Sequence, residues 1–146
     1  MDSSIVFTSK TPPTSREKEN IIDFLYTHLD QFGDPKEDIK KAVDYALKKV
    51  NSFGGFVIQL KDAGSVIGAV VVNRTGMQGY IPENILVYIA IDERYRGQGL
   101  GKRLMREALE TSEGNVALHV EPDNPARKLY EKLGFTNKYL EMRYNK

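Results

Sequence analysis

The apolar run Ile85-Leu86-Val87-Tyr88-Ile89-Ala90-Ile91 leads through Asp92-Glu93-Arg94-Tyr95 into Arg96-Gly97-Gln98-Gly99-Leu100-Gly101-Lys102, and an amphipathic stretch follows to about Glu110. The apolar run is too short for a globular helix and rich enough in β-branched residues for a buried strand. Leu100, Leu104, Ala108 and Leu109 then recur at helical spacing. The segment reads as strand, glycine loop and helix start, a constraint that few folds satisfy. A glycine loop that opens a helix leaves backbone N–H groups without partners and aims the positive end of the helix dipole at the same place. Such a site favours an anion.

Charge sharpens that expectation. Arg96, Lys102 and Arg103 put cations at a helix N-terminus, where the dipole disfavours them by a few tenths of a kcal/mol each. A phosphate would reverse the sign. Glycine at 99 and 101 would let a ligand approach the backbone and let the loop take positive φ. The plain alternative is an ordinary strand-to-helix turn with solvated basic residues. Two familiar phosphate loops fail the test of spacing. The dinucleotide fingerprint needs a third glycine where Lys102 stands, and the mononucleotide loop needs a glycine at Arg96 and a hydroxyl at Arg103.

The hexad that begins at Arg96 and carries Gly99 and Gly101 resembles the R/Q-x-x-G-x-G/A signature of the GNAT superfamily of acyl-CoA-dependent N-acyltransferases. Downstream, Ala117-Leu118-His119-Val120-Glu121-Pro122-Asp123-Asn124-Pro125-Ala126-Arg127-Lys128-Leu129-Tyr130-Glu131-Lys132-Leu133-Gly134-Phe135 is similar to the family's second motif, a strand followed by an Asn, Ala, Tyr and Gly-Phe series. Ala126 departs from the usual interval after Asn124, whereas Tyr130 keeps it. The two motifs occur in the right order over roughly the second half of the chain.

Composition bounds the rest. A chain of 146 residues, 40% hydrophobic, has the size of one domain, so residues 1–146 are expected to form a single one. A net charge of +1 with scattered signs offers no basic field for nucleic acid. The lack of cysteine removes disulfides and thiolate chemistry, and with only His28 and His119 for imidazole no metal site is expected. No apolar run is long enough to cross a bilayer and the N-terminus has no leader pattern, so no membrane partner and a cytoplasmic location are expected.

Along the chain, Ile5–Thr8 reads as a first strand and Thr14 with Glu17 as the capping box of a helix to about Gln31. Asp34 as N-cap, Pro35 at the first helical position and Glu37 completing a second capping box read as another helix start, with Ala42, Val43, Ala46, Leu47 and Val50 as its apolar face. Phe56–Leu60 and Val66–Val72 read as a hairpin, and residues 73–84 as a loop longer than a tight turn needs. The order β-α-α-β-β-β-α-β-α-β gives an α/β class with a mixed sheet and about four helices. The last strand is expected over Lys138–Tyr144, beside the fifth, where a missing neighbour would leave an edge for a second subunit to cover in a homodimer.

The resemblance implies a mostly antiparallel sheet that splays between its fourth and fifth strands, with the pantetheine arm of acetyl-CoA in the split. It implies that the backbone of Ile89, Ala90 and Ile91 pairs with pantetheine, and that Arg96, Gly97, Gln98, Gly99, Leu100, Gly101 and Lys102 hold the pyrophosphate. Asn124 is expected to cap the last helix with its oxygen and leave its amide for a pantetheine carbonyl. Ala126 and Tyr130, four apart, would line the groove. Tyr130 is the expected general acid, since a phenol of pKa about 10 stays protonated at neutral pH. Packing on the sheet is its bland alternative. His119 is the candidate base on the fifth strand, with Glu83, Tyr88 and Glu121 as substitutes. Ile85 stands where many histone-acetylating relatives carry a glutamate. Tyr26, Phe32, Tyr45, Met77 and Tyr80 are expected on the acceptor side. A small amine, an aminoglycoside-like compound, a peptide N-terminus and a protein lysine all stay open as acceptors, and a non-catalytic acyl-CoA-binding module is the rival to an enzyme.

Overall fold

The structure is a computed structural model that describes residues 2–146. Strands β1 (Asp2–Phe7), β2 (Gly55–Asp62), β3 (Ser65–Arg74), β4 (Asn84–Ile91) and β5 (Val116–Leu118) lie side by side in that order in one sheet. The first four are mutually antiparallel neighbours and β5 runs parallel to β4. Helices α1 (Ser15–Leu29) and α2 (Lys36–Ala46) separate β1 from β2, α3 (Leu100–Thr111) makes the crossover to β5, and α4 (Ala126–Lys132) follows. This is the expected mixed, mostly antiparallel sheet with four helices.

Local chemistry explains most element ends. Thr14 Oγ1 accepts from Glu17 N–H while the Glu17 carboxylate accepts from Thr14 N–H, so α1 opens on the expected capping box. It ends at Leu29, before Gln31, because Asp30 turns to φ 52° and the chain tightens into a short 3₁₀ turn. The second box does not form. Pro35 takes the N-cap of α2 without a side-chain bond, because the Asp34 carboxylate is engaged elsewhere. Val43, Ala46 and Leu47 are buried as expected, but the helix stops at Ala46 and leaves Val50 exposed. The β2–β3 hairpin turns on Ala63-Gly64 with φ values of 51° and 82°, both positive as a type I′ turn requires.

Side-chain alternation divides the core into two layers. Phe7, Val57, Ala69, Val71, Tyr88 and Ala90 pack under α1 and α2, while Ile58, Val70, Val72, Leu86 and Ile91 pack under α3 with Tyr130 of α4. One irregularity positions everything that follows. Val71 pairs with Tyr88 but Val72 pairs with Leu86, so Val87 is the extra residue of a bulge. The bulge puts Val87 and Tyr88 on the same side of β4, against the α1/α2 layer, although they are consecutive.

The fourth and fifth strands meet only between Asn84–Leu86 and Val116–Leu118. Their pairing stops where the bulge begins, and β4 continues alone on that side to Ile91. This is the expected splay. The expected last strand is absent: residues 135–146 carry no regular structure, and Tyr139, Leu140, Met142 and Tyr144 are exposed by 78–89%. Apolar alternation alone does not make a strand when the neighbour is a three-residue β5.

Candidate active site

Past the bulge, β4 bonds to β3 on one edge only. Asp92 N–H donates to Ile67 O at 2.8 Å, and the antiparallel period of two therefore turns the backbone groups of Ala90 and Tyr88 toward β3 as well. Ile89 and Ile91 face the open edge. Of the expected triplet, Ala90 is thus committed to the sheet. The carbonyl of Ile91 accepts from Arg96 Nε at 3.3 Å, which leaves Ile89 as the residue whose donor and acceptor both face the split.

The chain leaves β4 through a 3₁₀ turn, Glu93–Tyr95, whose N-cap Asp92 accepts from Arg94 N–H at 3.0 Å. The buried Asp92 carboxylate also takes Arg94 Nε and Nη2 at 3.2 and 2.8 Å. Those bonds hold its pKa down to about 2. His28 of α1 lies 3.8 Å from Asp92, and Arg96 Nη2 donates to the His28 carbonyl at 3.3 Å. The Arg96 side chain thus ties the loop to β4 and α1 rather than reaching outward.

Gly97 and Gly99 then take φ values of 81° and 79°, and a Cβ at either would meet nothing within 4 Å. Their conformation, not crowding, requires glycine. Gly99 is the N-cap of α3 and supplies no side-chain bond; Arg103 N–H to Gly99 O at 3.1 Å closes the first turn. The amides of Leu100, Gly101 and Lys102 precede that bond and lie outside the helical ladder. Leu100 can serve only through its backbone, since its side chain is in the core. Gln98 and Lys102 are exposed beside it. A cradle of left-handed glycines at an uncapped helix start fits a pyrophosphate.

Helix α4 supplies the opposite wall. Asn124 Oδ1 accepts from Ala126 N–H at 2.9 Å, so it caps in substance although Pro125 is already helical and holds the N-cap position. The Asn124 amide nitrogen has no hydrogen-bond partner among the described residues. Ala126 and Tyr130 fall in the same layer as Ile89 and Leu100, on the α3 side of the sheet. Tyr130 is 8% exposed, its ring lies 6.0 Å from that of Phe135, and burial pushes its phenol above the usual value.

The candidate bases separate. His119 lies one residue beyond β5 rather than in it, with a side chain 61% exposed and 3.9 Å from Glu141. Glu83 accepts from the N–H groups of Asn115 and Gly79 at 2.7 and 3.0 Å, which lowers its pKa and makes it a staple between two loops. Burial, then the bond to Asp34, pushes the Tyr88 phenol far up, so it is a donor and no base. Glu121 is exposed. Of the expected acceptor-side residues, Tyr45 donates to Arg74 O at 2.7 Å, Tyr26 and Tyr80 are exposed, Phe32 is half-buried, and Met77 lines a cavity of about 290 Å³ with Phe53, Arg74 and Glu83. A larger cavity, about 370 Å³, lies between α1 and the β2–β3 turn, away from these groups.

Comparisons with known proteins bear on the family and the fold. The family model described as Acetyltransferase (GNAT) family matches residues 20–135. The chain belongs to the GNAT acetyltransferase family. Among curated relatives, it is 34% identical over 86 residues to the N-alpha-acetyltransferase RimI of Mycobacterium tuberculosis, covering 58% of this chain and 54% of that protein. It is 36% identical over 81 residues to the uncharacterized N-acetyltransferase YhbS of Escherichia coli K12, covering 54% and 47%. The chain thus matches about half the length of these relatives. Among solved structures, a GNAT family acetyltransferase of Streptococcus pneumoniae TIGR4 superposes with a TM-score of 0.70 at 18% identity, covering 100% of this chain and 98% of that one. An aminoglycoside N-acetyltransferase in complex with CoA gives 0.68 at 17% identity, covering 100% and 95%. At those identities the likeness is one of fold.

The sequence does not announce Asp92 with His28, the Val87 bulge or the Tyr88–Asp34 bond. Asp92 carries one signal, a carboxylate directly after a buried strand. The other features depend on contacts between distant residues.

Proposed function

We propose that this GNAT-family chain is an acetyl-CoA-dependent N-acetyltransferase that moves the acetyl group directly to an amine within a ternary complex. The observation that carries the reading is the continuity of the open β4 edge with the left-handed glycine loop at the uncapped start of α3. The edge suits an extended amide-bearing arm, and the loop suits the pyrophosphate at its other end.

The thioester supplies an already activated acetyl group, so the protein's work is positioning and charge. Gly97 to Lys102 hold the pyrophosphate through backbone amides, with Lys102 adding charge. Ile89 pairs with the pantetheine arm and offers its N–H toward the carbonyl oxygen. The free amide nitrogen of Asn124 donates to the same arm, and the small Ala126 leaves room for it. Tyr130, kept protonated by burial, donates to the departing sulfur, whose thiol has a pKa of about 8.5. His119, exposed and uncommitted apart from Glu141, takes the amine's proton directly or through water.

The surface position of His119 is the observation that favours the rival, a binding module without turnover. Release of free CoA, followed with a broad amine panel, separates the two. Turnover above the buffer rate with any acceptor supports the enzyme. Saturable acetyl-CoA binding with no turnover on any amine contradicts it.

A further inference from the structure

The two faces of β4 divide the labour of a transfer reaction. Tyr130 and the glycine loop belong to the α3/α4 layer, whereas the bulge at Val87 sends Tyr88 into the α1/α2 layer beside the same unpaired stretch of strand. A nucleophile that meets a thioester held from the first layer approaches from the second. What stands there is a carboxylate. Tyr88, 7% exposed, donates its phenol to Asp34 Oδ2 at 2.5 Å, across 54 positions of sequence.

Asp34 gives up a local role to make this bond. It immediately precedes Pro35, where a carboxylate ordinarily caps a helix, yet α2 has no side-chain cap. Asp34 is exposed, and its Oδ1 has no hydrogen-bond or ion-pair partner among the described residues. The lysines of α2 do not neutralise it. Lys36 pairs with Asp23, Lys40 with Asp44 at 2.7 Å and Lys41 with Asp38 at 3.8 Å. Arg143 of the tail is paired with Glu141.

We propose that Asp34, held in place by Tyr88 beside the β4 bulge, receives a second cationic group of the acceptor, so that the preferred substrate is an amine bearing another positive charge. The reacting amine itself must shed its proton, and a carboxylate would hold that proton on it; the non-reacting cation has no such conflict. Linear diamines and peptides with a lysine or arginine near the reacting amine meet the requirement. The inference rests on the transferase reading and deepens it.

The test compares linear diamines and short lysine peptides with their mono-cationic isosteres, using acetyl-CoA and CoA release, in the wild type and in Asp34→Asn. Asparagine keeps an oxygen for the Tyr88 phenol and removes only the charge. The expected result is a lower KM for the dications in the wild type. In Asp34→Asn that advantage falls by roughly five- to tenfold, with kcat, acetyl-CoA affinity and mono-cation kinetics unchanged. A wild type indifferent to the second charge, or a preference that survives Asp34→Asn, overturns the proposal. Should no acceptor turn over, calorimetry of the same dications on CoA-saturated protein decides it. Binding that depends on Asp34 upholds the cation site while the transferase reading fails, and absence of such binding sinks the site itself.

Discussion

Tyr130 combines a buried ring with an unpartnered hydroxyl. Its ring belongs to the α3/α4 core, its phenol makes no hydrogen bond to the described residues, and burial keeps it protonated. Tyr130→Phe should retain acetyl-CoA affinity and lower kcat by roughly ten- to a thousand-fold, since water replaces the acid in part. Normal turnover with only a lower melting temperature would mark it as a packing residue. Asp92 makes a second residue-scale case. Its folded pKa of about 2 lies below the ordinary carboxylate value of about 3.9, chiefly through the side-chain bond from Arg94. The stability this adds is present above about pH 4 and is lost as pH falls from there through about 2. Urea midpoints measured across that window should fall with pH, and Arg94→Ala should lower the midpoint above about pH 4 and flatten the fall below it, because the folded and unfolded carboxyl then titrate closer together. An unchanged profile would mean that the pair contributes nothing to folding.

Elements differ in how far they can be read from the letters. The β4 strand, the glycine loop and α3 follow from apolar run length, glycine spacing and the recurrence of Leu100, Leu104 and Ala108, all local signals. The α1 capping box is equally local. The Val87 bulge is not legible, because every residue near it is apolar and either face would accept it; register against β3 decides. Asp34 is misread as a cap for the same reason. A rule about near neighbours cannot see a tyrosine 54 positions away. His119 falls just outside β5 because that strand ends once β4 diverges from it, a consequence of the splay and not of residue preference. Asn124 precedes α4, and helix spacing alone puts Ala126 and Tyr130 on one stripe of it.

At the scale of the whole molecule, the outer edge of β5 has no partner among the described strands, and the apolar side chains of the tail lie in the open. Proteins usually cover such an edge. A second copy of the chain is the expected cover, and light scattering after size exclusion should report a dimer at high micromolar concentration. A monomer with full activity would remove the partner from the mechanism. The loop at the start of α3 is expected to bind the pyrophosphate of acetyl-CoA. Gly101→Glu tests it cleanly, because a Cβ at that position meets Leu129 at an ordinary 3.5 Å while the added carboxylate repels a phosphate. Calorimetry with acetyl-CoA should give saturable binding to the wild type and an affinity weaker by about two orders of magnitude in the variant, with melting temperatures alike. Equal affinity in a folded Gly101→Glu protein would contradict the account.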